Sequence, residues 1–158
     1  MPLILVTIFC LLLSACGPPS DPLENKIKEL VINIEEEPDN PVLYYELGKA
    51  YIENKKYNSA YRELVKAIRL KKDYGEAYRE KGIALFYLKK YSDAEKALQK
   101  SFKLNPSQKD IATDLGSIFI ATGNIKKSIQ LLKYAKRKNS NMHVVFNNMG
   151  AAHAEIGR

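Results

Sequence analysis

From Pro22 onwards, apolar residues recur three or four positions apart, and polar residues fill the positions between them. In the segment 22–36 the residues Leu23, Ile27, Leu30 and Ile34 fall on one face of a 3.6-residue period, which is typical of an amphipathic α-helix. Short polar turns interrupt the same pattern further along the chain. The pattern predicts α-helices and no strand. The predicted helices span 22–36, 41–54, 57–71, 75–88, 91–104, 109–122, 125–138 and 143–156.

Four glycines of these predicted helices recur at one constant interval, at Gly48, Gly82, Gly116 and Gly150. The segments around them read YYELGKAY, YREKGIAL, ATDLGSIF and FNNMGAAH. Small residues and leucines recur in the same register downstream: Ala60, Ala94 and Ser128, then Leu64, Leu98 and Leu132. Self-similarity at a fixed period indicates a solenoid of stacked repeats. A glycine inside one predicted helix lets the helix that follows it in the chain cross closely.

This register resembles the tetratricopeptide repeat, a 34-residue helix–turn–helix unit, from about Pro41 to the last residue. The resemblance implies an all-α, right-handed superhelical solenoid. The first helix of each unit (helix A) lines the inner side of such a solenoid, and the second helix (helix B) lies outside. We expect repeats at 41–74, 75–108 and 109–142 and a partial fourth at 143–158. The segment 22–40 occupies the register of a helix B without its helix A, as an N-terminal capping helix would.

The resemblance also implies a concave groove that binds peptides or protein segments. Its walls come from the second, fifth, ninth and twelfth positions of each helix A. Tyr and Arg are favoured at binding hot spots, and we expect Arg79 to donate hydrogen bonds to a partner's carboxylate or carbonyls. Family members that clamp a C-terminal carboxylate carry Lys and Asn where this chain has Tyr45 and Lys49, so that specificity is not implied. The expected groove residues are Tyr45, Lys49, Arg79, Ile83, Phe86, Tyr87, Thr113 and Ser117.

The last predicted helix, 143–156, leaves little polar surface. Terminal repeats of a solenoid need a polar outer face for solubility. We therefore expect this helix to be covered by further chain, by a partner or by a second copy. Self-association through residues 143–158 is one of these alternatives.

The first residues, MPLILVTIFCLLLSA, contain an apolar run from Leu3 to Leu13. A membrane-spanning helix needs about 20 such residues, so the run has the length of a signal-peptide core instead. The segment Leu13-Ser14-Ala15-Cys16 resembles the bacterial lipobox. The resemblance implies that residues 1–15 are a signal peptide, that Cys16 is lipidated (palmitate being a common acyl chain), and that residues 16–21 form a short tether. It also implies a location at the cell membrane or outer membrane, facing the periplasm or the exterior.

The distribution of charge along the chain bears on the kind of partner that the protein could bind. The chain has 25 Lys and Arg and 18 Asp and Glu, a formal net charge of +7, yet residues 21–46 hold eight acidic residues against two lysines. A basic surface suits anionic lipid, a cell-wall polymer, an acidic protein or simply solvent. Nucleic acid is not expected as a partner, because an exported lipoprotein has little access to it.

Motifs for chemistry are scarce. The two histidines, His143 and His153, do not have metal-ligand spacing, and we expect His153 to be a packed core residue. No phosphate-binding glycine motif and no nucleophile with its base is apparent. We therefore expect no catalytic residue, no metal and no cofactor.

These observations favour a membrane-anchored scaffold that binds proteins of the cell envelope in its groove. Tetratricopeptide lipoproteins of this kind serve pili, secretins, cell-wall hydrolases and outer-membrane assembly, and the sequence does not choose among them. Two alternatives stay open. One is a structural or surface lipoprotein without a groove partner, and the other is the N-terminal part of a longer, enzyme-bearing chain.

The lipobox makes a direct prediction. The mature protein should begin at Cys16, carry two or three acyl chains and stay with the membrane, since a single chain anchors only marginally. Mass spectrometry of the N-terminal peptide measures this, and Cys16→Ser should leave residues 1–15 attached. An unmodified Cys16 or a retained Met1 in the wild type would contradict the prediction.

Overall fold

The computed structural model describes residues 21–106, 110–138 and 141–157, with the side chain of Met142 omitted. The predicted signal peptide and Cys16 lie outside the described residues. Within the described ranges the chain forms eight α-helices and no strand. The helices are α1 (Pro22–Glu36), α2 (Pro41–Glu53), α3 (Tyr57–Leu70), α4 (Gly75–Tyr87), α5 (Tyr91–Leu104), α6 (Ile111–Ala121), α7 (Ile125–Arg137) and α8 (Met142–Ile156).

The helices stack as antiparallel pairs. Helix α2 packs on α3, α4 on α5 and α6 on α7, and each pair packs on the next. Contacts between α2 and α4, α4 and α6, and α6 and α8 run along one side of the stack, so the first helices of the repeats form a continuous inner wall. The predicted all-α repeat architecture is confirmed. The predicted helix 109–122 begins at Ile111, and the other ends agree within one residue.

The first two helices begin at capped prolines. Proline suits the first helical position because its missing N–H needs no partner there. The Asp21 side chain accepts a hydrogen bond from the N–H of Leu23 at 3.0 Å, and Asn40 accepts one from Val42 at 3.0 Å. Helix α1 then buries Leu30 against Leu47 of α2. It occupies the place that the register assigned to a capping helix.

The turn inside each repeat uses the same backbone geometry. Lys55, Lys89 and Gly123 occupy the equivalent position of successive repeats and have positive φ angles of 56°, 60° and 74°. A left-handed residue there ends helix A and lets the following N–H bond back to a carbonyl near the helix end. In the second repeat, the N–H of Lys90 donates to the carbonyl of Leu85 at 2.9 Å. Only Gly123 adopts this conformation without a steric cost, so the two lysines are held by the helices on either side.

A glycine and a leucine meet at each crossing of helix A and helix B. Leu64, Leu98 and Leu132 are fully buried. A Cβ added to Gly48 would lie 2.6 Å from Cγ of Leu64, and one added to Gly82 would lie 2.7 Å from Cγ of Leu98. At Gly116 the nearest atom would be Cδ2 of Leu132, at 2.9 Å. Each glycine therefore provides the space that its leucine fills.

The fourth glycine has no such neighbour. A Cβ on Gly150 would meet nothing within 4 Å in the described part of the chain, and Phe146 and Ile156 on the same helix are exposed. The expectation that His153 is a core residue is wrong, because its side chain is exposed. Its register position would face a helix B, and no described residue covers this face of α8, although α6 and α7 pack on another face. Self-association through residues 143–158 stays a prediction.

None of the helices in the described ranges combines the length and the apolar character that crossing a membrane requires.

The glycine contacts predict opposite effects for one substitution at two equivalent positions. Gly82→Val should lower the free energy of unfolding by more than about 2 kcal/mol, because overpacking a tight contact typically costs 1–3 kcal/mol. Gly150→Val should be neutral or slightly stabilising, since valine meets nothing there and glycine is the poorer helix former. Urea denaturation of both variants checks this. Equal destabilisation at the two positions would mean that α8 is covered in solution.

Candidate partner-binding groove

The predicted groove residues lie on the inner helices, although they do not form one uniform surface. Four of them, Ile83, Phe86, Tyr87 and Ser117, line one cavity of about 230 Å³ between α4 and α6. Leu98, Ile118 and Val144 add to its apolar lining, and Asp114 contributes a charge. Tyr87 is 52% exposed and Val144 39% exposed, so the cavity opens to solvent with apolar side chains at its mouth. An apolar side chain of a partner would lose contact with water there.

Tyr45 and Lys49 lie on α2 and belong to an aromatic cluster. The ring centroids of Tyr45 and Tyr74 are 5.0 Å apart, and Nζ of Lys49 is 5.2 Å from the centroid of the Tyr45 ring. Lys49 also forms an ion pair with Glu46 at 3.5 Å. Burial, followed by the charges of Glu80 and Glu46, raises the pKa of Tyr45 to about 12. Its hydroxyl therefore stays protonated and can donate at neutral pH.

Arg79 does not have the free guanidinium expected from the sequence. Its Nε donates to Oδ2 of Asp114 at 2.7 Å, across the boundary between α4 and α6. Its Nη1 lies 3.6 Å from Oε1 of Glu80. Because hydrogen bonds between a guanidinium and a carboxylate are strong, Arg79 links two inner helices and is not an unpaired donor for a partner's carboxylate.

Thr113 is also placed differently from the expectation. Its side chain is 3% exposed, and its hydroxyl has no hydrogen-bond partner among the described residues. Ser117, one turn later, donates to the carbonyl of Thr113 at 3.2 Å and accepts from Nδ2 of Asn148 at 2.7 Å. Ser117 therefore connects α6 to α8 at the edge of the cavity, and Thr113 lies beneath the surface.

Sequence reasoning missed a row of carboxylates along the inner wall. Glu46, Glu80 and Asp114 occupy the sixth position of three successive inner helices, one repeat apart. Their spacing of one repeat period was visible in the sequence. The groove was predicted only from the second, fifth, ninth and twelfth positions, which do not include them. All three are partly buried and take part in the ion pairs of Lys49 and Arg79. We call these three residues the carboxylate row.

The carboxylate row is electrostatically crowded. Burial raises the pKa of Glu80, and the charges of Asp114 and Glu46 raise it further, while Arg79 and Lys49 act in the opposite direction. Burial likewise raises the pKa of Asp114, and Asp110 adds to the effect while Arg79 opposes it. The negative charges of the inner wall are thus held close together at a cost to the folded state.

A second cavity, of about 350 Å³, lies between α4 and α5 and includes Tyr61 of α3. Lys81 contributes to it, with Nζ 5.7 Å from the ring centroid of Tyr61 and 5.9 Å from that of Tyr78. Burial lowers the pKa of Lys81. Lys90, Lys96 and Asp93 complete its charged lining. This cavity is therefore mainly cationic, in contrast to the inner wall.

The described residues contain no cluster of three or more His, Cys, Asp or Glu side chains that could hold a metal ion. His143 lies at the exposed start of α8, with its Nδ1 3.3 Å from Nδ2 of Asn147.

Comparison with known proteins identifies two of the repeats as tetratricopeptide repeats. Residues 42–74 and 75–108 each match a family model of the tetratricopeptide repeat. No curated protein sequence matches the chain. The chain is thus an all-α, right-handed solenoid that contains tetratricopeptide repeats. Repeats of this kind imply a scaffold for protein–protein interaction and are typically non-enzymatic.

Solved structures agree with this fold. A crystal structure of MamA superposes with a TM-score of 0.75 and 24% identity, over 87% of this chain and 86% of that one. The TPR domain of Arabidopsis OM64 gives a TM-score of 0.68 and 16% identity over 72% of this chain and 94% of that one. The first TPR of Spaghetti (RPAP3), bound to the HSP90 peptide SRMEEVD, gives a TM-score of 0.60 and 29% identity over 61% of this chain and 77% of that one.

The raised pKa of Glu80 predicts a gain in stability when its charge is removed. The charged form costs more in the folded than in the unfolded protein, so the penalty appears as pH rises past the ordinary carboxyl pKa of about 4.3. Glu80→Gln should raise Tm at pH 7, because Arg79 keeps Asp114 as a partner while Glu46 and Asp114 lose a repelling neighbour. The gain should disappear below about pH 4, where Glu80 is protonated in both states.

Calorimetry between pH 3.5 and 8 measures this difference. The matched control is Glu63→Gln on α3, which removes a carboxylate that pairs with Lys66 at 2.9 Å. This control should give no gain in Tm at pH 7. A loss of stability in Glu80→Gln at pH 7 would show that the Arg79 pair outweighs the crowding.

Proposed function

We propose that this protein is a membrane-anchored adaptor of the bacterial cell envelope, and that its concave groove binds a segment of a partner protein. The tetratricopeptide repeats support the scaffold, and the lipobox at Leu13–Cys16 supports the anchor. The single observation that carries the proposal is the open cavity lined by Ile83, Phe86 and Tyr87 on the inner side of the stack. Anchored and confined to a surface, such an adaptor needs only modest affinity, because confinement raises the effective concentration of its partner.

The groove has the usual features of a segment-binding site. It is concave and partly apolar, with polar groups at its edge in Ser117 and Asp114. Tyr87 stacks on Tyr57 with ring centroids 4.5 Å apart, so its ring is oriented before a partner arrives. A pre-oriented aromatic side chain loses little conformational entropy on binding.

Site-specific photo-crosslinking in living cells tests the proposal. A benzophenone amino acid is placed at position 87, in the groove, or at position 102 on α5, where Phe102 is 37% exposed outside the groove. We expect a discrete protein adduct from position 87 and none from position 102. Tyr87→Ala with Val144→Ala should abolish co-purification of that partner from solubilised membranes, whereas the matched pair Phe102→Ala with Val65→Ala should not.

Three results would count against all or part of the proposal. Adducts from position 102 alone would move the binding surface to the outer helices. The absence of any adduct at both positions would favour a structural lipoprotein without a groove partner. If the protein is found in the soluble fraction and still forms the adduct from position 87, the proposed membrane anchor is wrong and the proposed binding role stands.

A further inference from the structure

The charges of the chain are divided between its two sides. The inner helices α2, α4 and α6 carry five acidic and three basic residues. The outer helices α3, α5 and α7 carry three acidic residues and eleven Lys and Arg. A protein with a formal net charge of +7 therefore has an inner wall of the opposite sign.

The basic residues of the inner helices are already engaged. Lys49 pairs with Glu46, and Arg79 pairs with Asp114 and Glu80. Lys81 lies against the rings of Tyr61 and Tyr78 in the second cavity. Within these three described helices, each Lys and Arg is thus held by a carboxylate or by aromatic rings.

Two carboxylates near the N-terminal ends of α4 and α6 take no part in the ion pairs of the inner wall. Glu76 lies in the first turn of α4 and Asp110 precedes α6, and both are partly exposed. Neither forms an ion pair within the described ranges, although Asp110 shares a cavity lining with Arg79. Asp110 accepts one hydrogen bond, from the backbone N–H of Asn141 at 3.4 Å. A smaller cavity, of about 130 Å³, has Asp110, Asp114, Arg79 and Val144 in its lining, together with Thr113 and Asn141.

This small cavity, whose lining holds two carboxylates and one guanidinium, adjoins the apolar one. Asp114 and Val144 line both of them. A partner that places an apolar side chain between Phe86 and Val144 therefore brings its neighbouring residues close to Asp110 and Asp114. A cation at that point would relieve the crowding in the carboxylate row, and it would meet charges that are partly shielded from water.

From this charge complementarity we infer that the groove selects a basic partner segment, one in which an apolar side chain is flanked by Lys or Arg. The inference rests on the proposed function of the groove and names the chemistry of its partner. Acidic segments are disfavoured, because like charges facing each other across an interface cost affinity. The peptide SRMEEVD, held by the RPAP3 repeat, contains three acidic residues and is of the disfavoured kind.

Fluorescence anisotropy with labelled peptides tests the inference on the full chain in an uncharged detergent. The probes are the capped peptides GKRLFKRG, GEDLFEDG and GKRSSKRG, together with SRMEEVD. We expect GKRLFKRG to bind with a micromolar Kd and to bind more weakly as salt is added, because salt screens the attraction. The other three should bind at least about tenfold more weakly, lacking either the positive charge or the apolar side chains.

Variants that replace carboxylates with amides test where the peptide binds. Glu76→Gln with Asp110→Asn should weaken GKRLFKRG by about fivefold or more, since each exposed ion pair contributes up to about 1 kcal/mol. Neither carboxylate belongs to the ion pairs that link the inner helices, so the fold should be retained. The matched control is Glu63→Gln with Asp93→Asn on the outer helices, which removes the same charge and should leave the Kd unchanged.

The outcomes separate the inference from the proposed function. Equal or tighter binding of SRMEEVD or GEDLFEDG overturns the charge selection while the groove remains a binding site. Binding of GKRLFKRG that responds equally to both double variants also overturns it, because the attraction then comes from net charge alone. A dimer in sedimentation that Glu76→Gln with Asp110→Asn dissociates would identify the occupant as a second copy, against the inference. Absence of binding by every peptide, together with absence of the position-87 adduct, removes the groove function and the inference with it.

Discussion

The contact between a glycine of helix A and a leucine of helix B determines how closely each pair of helices approaches. The absence of a Cβ at Gly48, Gly82 and Gly116 lets a buried leucine occupy the space against the backbone. Since a missing methyl group on one side is matched by a branched side chain on the other, the pair fits in one register only. The left-handed turn residues at 55, 89 and 123 complete this constraint by directing each helix B back along its helix A.

The groove follows from this regular stacking. Because successive inner helices are related by one repeat period, equivalent positions lie next to one another on the wall. Glu46, Glu80 and Asp114 are therefore brought together by the fold, and their raised charge density is a consequence of repetition. The two cations inserted among them, Lys49 and Arg79, make the crowding tolerable without cancelling it. Sites that retain an unfavourable charge arrangement often do so for function.

Much of the fold was predictable because its determinants are local and periodic. Apolar spacing gave the helices, and the glycine register gave the pairing. The side-chain environment of the groove was less predictable. Position in the repeat placed Arg79 and Thr113 on the inner wall, but it carried no information on the Asp114 partner of the first or on the burial of the second. His153 was misassigned because a packing position is buried only if a second helix covers it.

Each end of the described solenoid has a side that no other described helix covers. Helix α1 contacts only α2 and leaves Val31 and Ile32 exposed, and α8 contacts α6 and α7 and leaves Phe146 and Ile156 exposed. In a stack held together by nearest-neighbour interfaces, the terminal helices open first, and opening proceeds inward from them. Protection against local unfolding should therefore form a gradient, lowest at α1 and α8 and rising toward the middle repeats. The groove spans this gradient, with the Val144 side of its apolar cavity on a terminal helix and the Phe86 side on a helix of the middle repeats.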